Sequence, residues 1–353
     1  MQLSNSIKME QKSTIPWDKF SHKNTLDSWN AVKDHIIDIQ PIPLIVREPS
    51  KTPKPNGYMR FVCMSDTHGE HDKIVDKLPE GDILLFAGDF THVGKKKEID
   101  SFCEFLKKLK FRHKIVIAGN HDIPFDKSFY LLNFFRFGHL LPVSTSTVKE
   151  ELKKCCIYLE DEYIEINGIK IFGSPYQPTF GSWAFNLDRG KKLRKHWEKI
   201  PSNIDILLTH GPPMGRCDVT NKGFRKGDVD LLQCILERVH PKVHVFGHIH
   251  ESHGLSFDGS TVFINASIFD KDHEPTNTPI VFDYPIPYYN QTNLQFSDLL
   301  LEPSSSSSLP RYETTPPITS SHSTSSSTSP PLASSSATPS GFASYSANET
   351  RKT

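Results

Sequence analysis

The sequence predicts an α/β protein whose core is a largely parallel sheet, mixed in direction or divided into two stacked sheets. Two observations carry this reading. Between Arg60 and about Pro287, apolar runs of four to seven residues rich in Val, Ile, Leu and Phe recur without alternation, as in strands buried on both faces. Helix-patterned stretches lie between several of them, and strand–helix–strand alternation marks an α/β domain.

Residues 1–57 read as an N-terminal extension and linker, in which Trp17, Phe20, Trp29 and the isoleucines of 36–39 offer apolar groups to a core. Lys51-Thr-Pro-Lys-Pro-Asn-Gly57 has linker composition. Strands are expected at residues 60–64, 83–87, 114–118, 204–208 and 243–246, and helices at 96–110, 187–199 and 228–239. Residues 156–166, Asn167-Gly168 and residues 169–172 read as a hairpin, and 261–264 and 280–282 as further strands. The folded domain is placed at residues 58–290. Residues 291–353 are dominated by Ser, Thr and Pro, including the serine run 304–308. Such a segment buries too little apolar surface to offset its ordering entropy and is expected to be a disordered tail.

The 41 basic and 41 acidic side chains cancel, so the basic excess of general nucleic-acid and membrane-surface binders is missing. No stretch approaches the ~18 apolar residues of a membrane span, and residues 1–12 lack the apolar core of a secretory signal. The six cysteines are scattered without a CxxC pair and read as reduced thiols. A cytoplasmic protein is expected, with no membrane association and no stable nucleic-acid complex.

The chemistry lies in the short polar segments that terminate the apolar runs. In order these are Ser65-Asp66-Thr67-His68-Gly69, Gly88-Asp89-Phe90, Gly119-Asn120-His121-Asp122, Thr209-His210-Gly211 and Gly247-His248-Ile249-His250. Successive strands thus deliver Asp, Asn or His at their carboxyl ends, the edge where ligands bind in α/β sheets. The set holds carboxylates, an amide and imidazoles but no thiolate, which suits an open catalytic metal site rather than a closed structural one. The ligands are too many for one tetrahedral ion and enough for two. Asp89, at the end of a run expected to be central, is placed to bridge both. Two divalent ions, two carboxylates and a bridging hydroxide leave about one positive charge to meet a phosphate. Two metals roughly 3.5–4 Å apart can clamp the attacking and leaving oxygens of an in-line displacement, so hydrolysis of a phosphate ester is inferred.

The series Asp-x-His, Gly-Asp, Gly-Asn-His-Asp, His and Gly-His-x-His resembles the calcineurin-like metallophosphoesterases. Longer stretches are similar to the MPPED (metallophosphoesterase domain-containing) group. They include Arg60-Phe-Val-Cys-Met-Ser-Asp-Thr-His68, Ala87-Gly-Asp-Phe-Thr91, Lys114-Ile-Val-Ile-Ala-Gly-Asn-His121, Phe172-Gly-Ser-Pro-Tyr-Gln-Pro178, Leu208-Thr-His-Gly-Pro-Pro213 and Phe246-Gly-His-Ile-His-Glu251. This resemblance implies a four-layer α/β/β/α sandwich with mixed sheets. It implies one metal held by Asp66, His68, Asp89 and His250, and a second by Asp89, Asn120, His210 and His248. It implies manganese-like ions, with iron or zinc as alternatives, and hydrolysis of phosphodiesters, cyclic nucleotides among them, so that the expected partner is a small phosphodiester or nucleotide substrate. Departures from the group's pattern fall at Glu251-Ser-His-Gly254, Tyr176 and Thr91-His92-Val93, which are expected to border the pocket and bear on substrate preference.

In the mechanism so implied, a metal-bridging hydroxide attacks phosphorus and His121 protonates the leaving alkoxide as general acid. Asp122 is expected to orient the His121 ring. Trp183 and Phe185 are candidates for stacking on a base or for core packing, and His92 and His253 read as surface residues near motifs. A protein phosphatase is disfavoured because Gly88-Asp-Phe-Thr-His-Val-Gly94 lacks that group's Asp-Arg pair. A non-catalytic scaffold is the other alternative, disfavoured because no ligand is lost.

Overall fold

The computed structural model describes residues 15–137, 144–270, 274–287 and 289; the expected tail, residues 291–353, lies outside them. In chain order the strands are β1 (Tyr58–Met64), β2 (Ile83–Ala87), β3 (His113–Ile117), β4 (Ile157–Tyr158), β5 (Glu162–Ile166), β6 (Ile169–Ser174), β7 (Gln177–Pro178), β8 (Asn186–Leu187), β9 (Ile206–Thr209), β10 (Val243–Phe246), β11 (Gly254–Phe257), β12 (Val262–Asn265) and β13 (Ile280–Pro285). One sheet runs β13-β1-β2-β3-β4 and a second β11-β12-β10-β9-β6-β5, with β7 and β8 paired apart from both. The inner strands of each are parallel, and β13, β11 and β5 are antiparallel edges.

Side-chain alternation explains the stacking. Phe61, Cys63, Ile83, Leu85, Ile115 and Ile117 of the first sheet meet Ile171, Ile206, Leu208, Val243, Val245 and Ile264 of the second in one inter-sheet core. Their neighbours Val62, Leu84, Phe86 and Val116 point the other way, against Ile99, Phe102 and Phe105 of helix Lys96–Lys108 and Val148 of helix Thr145–Lys153. On the far side Phe172, Leu207, Phe246 and Phe263 meet Leu193 and Trp197 of helix Lys191–Trp197 and Leu231 of helix Val229–Cys234. The four layers are helices, sheet, sheet and helices, as the resemblance implies. Because both faces of each sheet are covered, apolar residues fill consecutive positions.

Three expected elements come out differently. The helix expected over 187–199 spans only Lys191–Trp197, with Leu187 in β8. The first arm of the expected hairpin is divided: Ile157–Tyr158 pairs with β3 in one sheet, whereas Glu162–Ile166 pairs with β6 in the other. Between them Asp161 takes a left-handed backbone (φ 57°) and is tied down by Ser174, His196 and Lys199. The expected helix at 228–239 is α-helical only to Cys234, widens to a π-turn over Ile235–Val239, and stops at left-handed His240.

Residues 15–57 pack against the folded domain and touch both sheets rather than standing apart. Trp17, Phe20, Trp29 and Val32 pack with Met214, Val229 and Leu232, and Ile45 bridges to Phe282 of β13. Buried His22 reaches the Asp230 carboxylate at 2.7 Å through Nδ1 and the Trp17 carbonyl at 2.7 Å through Nε2. Burial disfavours the imidazolium, but the Asp230 hydrogen bond, the Trp17 carbonyl and the Asp230 charge outweigh it and raise the His22 pKa. A raised folded-state pKa adds stability that is fully present below the unfolded value near 6.5 and is lost as pH rises through the folded value. His22→Ala should therefore cost about 2 kcal/mol near pH 6, with a smaller deficit toward pH 9. Denaturant unfolding of both proteins across that range measures it, and a deficit that grows with pH would contradict the ion pair.

Candidate metal centre

Because β1, β2 and β3 run parallel in one sheet and β9 and β10 in the other, their carboxyl ends deliver loops to a shared edge. Past the strands, Ser65 pairs with Ser267 and its amide donates to the Ala266 carbonyl at 2.9 Å, joining the two sheets at the site. The backbone then turns sharply. Asp66, His68, Asp89 and His248 all sit in the left-handed region, with φ of 57°, 45°, 56° and 69°. Each such residue without glycine's freedom costs about 1 kcal/mol or more, a strain characteristic of functional sites. Backbone hydrogen bonds hold it in place: Asp66 N–H to the Gly88 carbonyl and His68 N–H to the Asp89 carbonyl, both 3.0 Å. Glycine is required at Gly119 and Gly247 for room, since a Cβ there would collide with the carboxylates of Asp89 and Asp66 respectively.

Ligand atoms of Asp66, His68 and His250 lie within 4.8 Å of one another, as do those of Asp89, His210 and His248. Asp89 connects the groups: its Oδ2 is 3.2 Å from His210 Nε2 and 3.9 Å from His68 Nε2. Asn120 Oδ1 is 3.0 Å from His210 Nε2. These expected ligands are therefore brought together. The donor set fits a pair of divalent ions. His210 Nδ1 donates to the Ala87 carbonyl (2.8 Å) and His250 Nδ1 to that of Asp270 (3.2 Å), which turns each Nε2 inward as a ligand atom. The Nε2 atoms of His68 and His250 face each other at 3.2 Å, and buried Asn120 Nδ2 has no hydrogen-bond partner among the described residues while its Oδ1 points into the cluster.

The electrostatics of the metal-free chain point the same way. Burial opposes ionisation of Asp66 and Asp89, but the hydrogen bond and charge of His250 for the first, and chiefly the charge of His210 for the second, hold both carboxyls below their ordinary range. Reciprocally, against burial, Asp89 raises His210 to about 9 and Asp66 raises His250 to about 9. Two imidazolium charges thus stand where cations would neutralise the carboxylates. Burial, helped by the charge of His210 and only partly offset by the charges of Asp89 and Asp66, pushes His248 down to about 3.

His121 is anchored differently from the expectation. Its Nδ1 donates to the His92 carbonyl at 2.8 Å, and its ring lies against Trp183 with centroids 4.1 Å apart. Asp122 does not orient that ring. Its buried carboxylate instead accepts from the amides of Asp89 (3.0 Å), Thr91 (2.9 Å) and Gly119 (2.8 Å) and from the Thr91 hydroxyl (2.7 Å), so it clamps the loops after β2 and β3 together. Burial and the Asp89 charge push it up to about 8 against those hydrogen bonds, and divalent cations nearby would favour the carboxylate.

Other residues are re-sorted. Phe185 is core, and Tyr176 packs against Phe185 and His196 rather than standing free at a pocket wall. His253 hydrogen-bonds the Thr278 carbonyl. His92 is exposed but belongs to the site, with a ring nitrogen within 4.8 Å of those of His68 and His121. Gln177, whose Nε2 donates to Asn120 Oδ1 at 3.0 Å, and Ser267, whose hydroxyl donates to Asp66 at 2.9 Å, are supports that the motif reading missed. Phe180 sets its edge against His248, 5.5 Å between centroids.

The model of the calcineurin-like phosphoesterases matches residues 59–252, and that segment contains every residue of both ligand groups. The chain belongs to this family. Its relatives include human and mouse Metallophosphoesterase domain-containing protein 1, each 42% identical over 289 residues that cover 80% of this chain and 86% of theirs. UPF0046 protein T07D4.2 of Caenorhabditis elegans is 40% identical over 306 residues, covering 83% of this chain and 74% of its own. The family is one of dimetal-dependent phosphoester hydrolases, and the clustered Asp and His side chains are what such chemistry requires. Among the described residues no helix is long and apolar enough to cross a membrane.

Asp122→Ala would leave buried amides of Asp89, Thr91 and Gly119 without acceptors, at a combined cost of about 3–5 kcal/mol. Urea unfolding should show that loss, together with weaker binding of divalent metal. Unchanged stability and metal binding would contradict the clamp.

Proposed function

We propose that this chain hydrolyses small phosphodiesters, cyclic nucleotides among them, in the cytoplasm with two manganese-type ions. The observation that carries the reading is the Asp89 carboxylate, which lies 3.2 Å from His210 in its own group and 3.9 Å from His68 in the other, and so adjoins both. In this reading Asp66, His68, Asp89 and His250 hold one ion, and Asp89, Asn120, His210 and His248 the other. Ions bound there supply the Lewis acidity that polarises phosphoryl oxygens and makes water nucleophilic near neutral pH.

The side chains do the rest. His121 serves as general acid: with Nδ1 fixed on the His92 carbonyl, Nε2 is the nitrogen left to carry a proton to the leaving oxygen. Trp183, stacked on the same ring, limits its rotation. Asp122 acts through the loops it clamps, and is a positioning residue rather than a proton carrier. Support for a diester substrate comes from similarity to the MPPED group and from the roughly single positive charge left by two divalent ions, two carboxylates and a hydroxide, which matches the single negative charge of a phosphodiester.

The full chain reconstituted with Mn2+ should hydrolyse bis-p-nitrophenyl phosphate and a 2′,3′- or 3′,5′-cyclic nucleotide faster than p-nitrophenyl phosphate. Activity confined to the monoester would overturn the diester reading, and no turnover with metal bound would favour a scaffold. His121→Ala should lower kcat by about 10²–10⁴ for alkyl leaving groups and much less for nitrophenolate, which needs no proton to depart. Equal losses on both would remove His121 from the acid role.

A further inference from the structure

We propose that His92, His121 and His68 form an additional, all-imidazole site that takes a zinc ion and, once filled, withdraws His121 from proton transfer. One ring nitrogen from each lies within 4.8 Å of the other two. The His68 and His121 rings meet edge-on at 4.6 Å, and those of His92 and His121 lie 6.1 Å apart. Because His121 Nδ1 is bonded to the His92 carbonyl, Nε2 is its free ligand atom. His68 is buried, His121 half-buried and His92 exposed, so the cluster runs from the metal centre out to solvent.

Its chemistry differs from that of the two groups beside it. Each of those includes a carboxylate, which suits manganese, whereas three imidazoles with an open fourth position suit zinc. His68 is also a member of the Asp66 and His250 group, and a neutral imidazole has one lone-pair nitrogen to give and so serves one ion at a time. Filling the all-imidazole site therefore competes with the neighbouring one. Zinc there occupies the nitrogen of His121 that would carry the acid proton, so it inhibits in two ways. The binding claim stands apart from the proposed function, and only the inhibition rests on it.

Zinc alone, titrated into the metal-free full-length chain against a chromophoric chelator, tests this. His250→Ala disables the Asp66 group, yet that variant should still bind two zinc ions, one of them at His68, His92 and His121. Adding His92→Ala should weaken that second ion by about tenfold or more and leave the first unchanged. Retention of both ions at wild-type strength in the double variant would overturn the site, as would loss of the second ion in His250→Ala alone. Manganese affinity in His92→Ala should stay within about twofold of wild type; a loss matching that of zinc would mean a local structural effect and would also overturn it. In the manganese-loaded wild type, zinc should suppress hydrolysis of bis-p-nitrophenyl phosphate, and His92→Ala should raise the zinc needed for half-inhibition by about tenfold. A chain that never hydrolyses the diester would sink the proposed function while leaving the zinc count to judge this site.

Discussion

Two buried carboxylates at the same sheet edge are unfavourable unless something positive stands between them. Asp66 and Asp89 are almost fully removed from water, and Asp122 is buried beside Asp89. Removing such charges from water costs several kcal/mol apiece unless they are paired and hydrogen-bonded. In the metal-free chain His210 and His250 supply the pairing. The rest of the site is arranged around that constraint: inward Nε2 atoms, Asp89 between His68 and His210, and amides aimed at carboxylate oxygens. A pair of divalent ions answers the same electrostatic demand with more charge, and family membership and donor chemistry agree on it.

The fold meets the demand by bringing loops from two sheets to one edge. Parallel strands bury their middles on both faces and leave their carboxyl ends free, so rigid, mainly apolar packing positions polar loops. The cost appears locally, as left-handed backbone at Asp66, His68, Asp89 and His248, and as glycines where a Cβ would strike a carboxylate. Asp122 is central to this arrangement. Its carboxylate ties the loop after β2 to the loop after β3, so Asp89, Asn120 and His121 are held as a unit.

Much of this was legible in the sequence, because unalternating apolar runs and the polar residue after each of them are local signals. The central strands at Ile83–Ala87 and Val243–Phe246 stand where those runs lie, and the expected ligands converge. Contacts between distant segments left no such trace. Asp122 looked like a partner for its neighbour His121, but a residue entering the Ile123–Phe125 turn directs its side chain back under the sheet edge instead. His92 read as a surface residue because exposure and function coincide there. The sheet change at Asp161 and the docking of residues 15–57 depend on pairings such as His22 with Asp230, 208 positions apart, which no local pattern encodes.

The central claim is that one carboxylate, that of Asp89, joins two metal ions. Electron paramagnetic resonance of the chain loaded with two equivalents of Mn2+ tests it most directly. A bridged pair gives an exchange-coupled spectrum that Asp89→Asn replaces with the signal of isolated ions. A wild-type chain that carries both ions and yields only the isolated-ion signal would contradict the account.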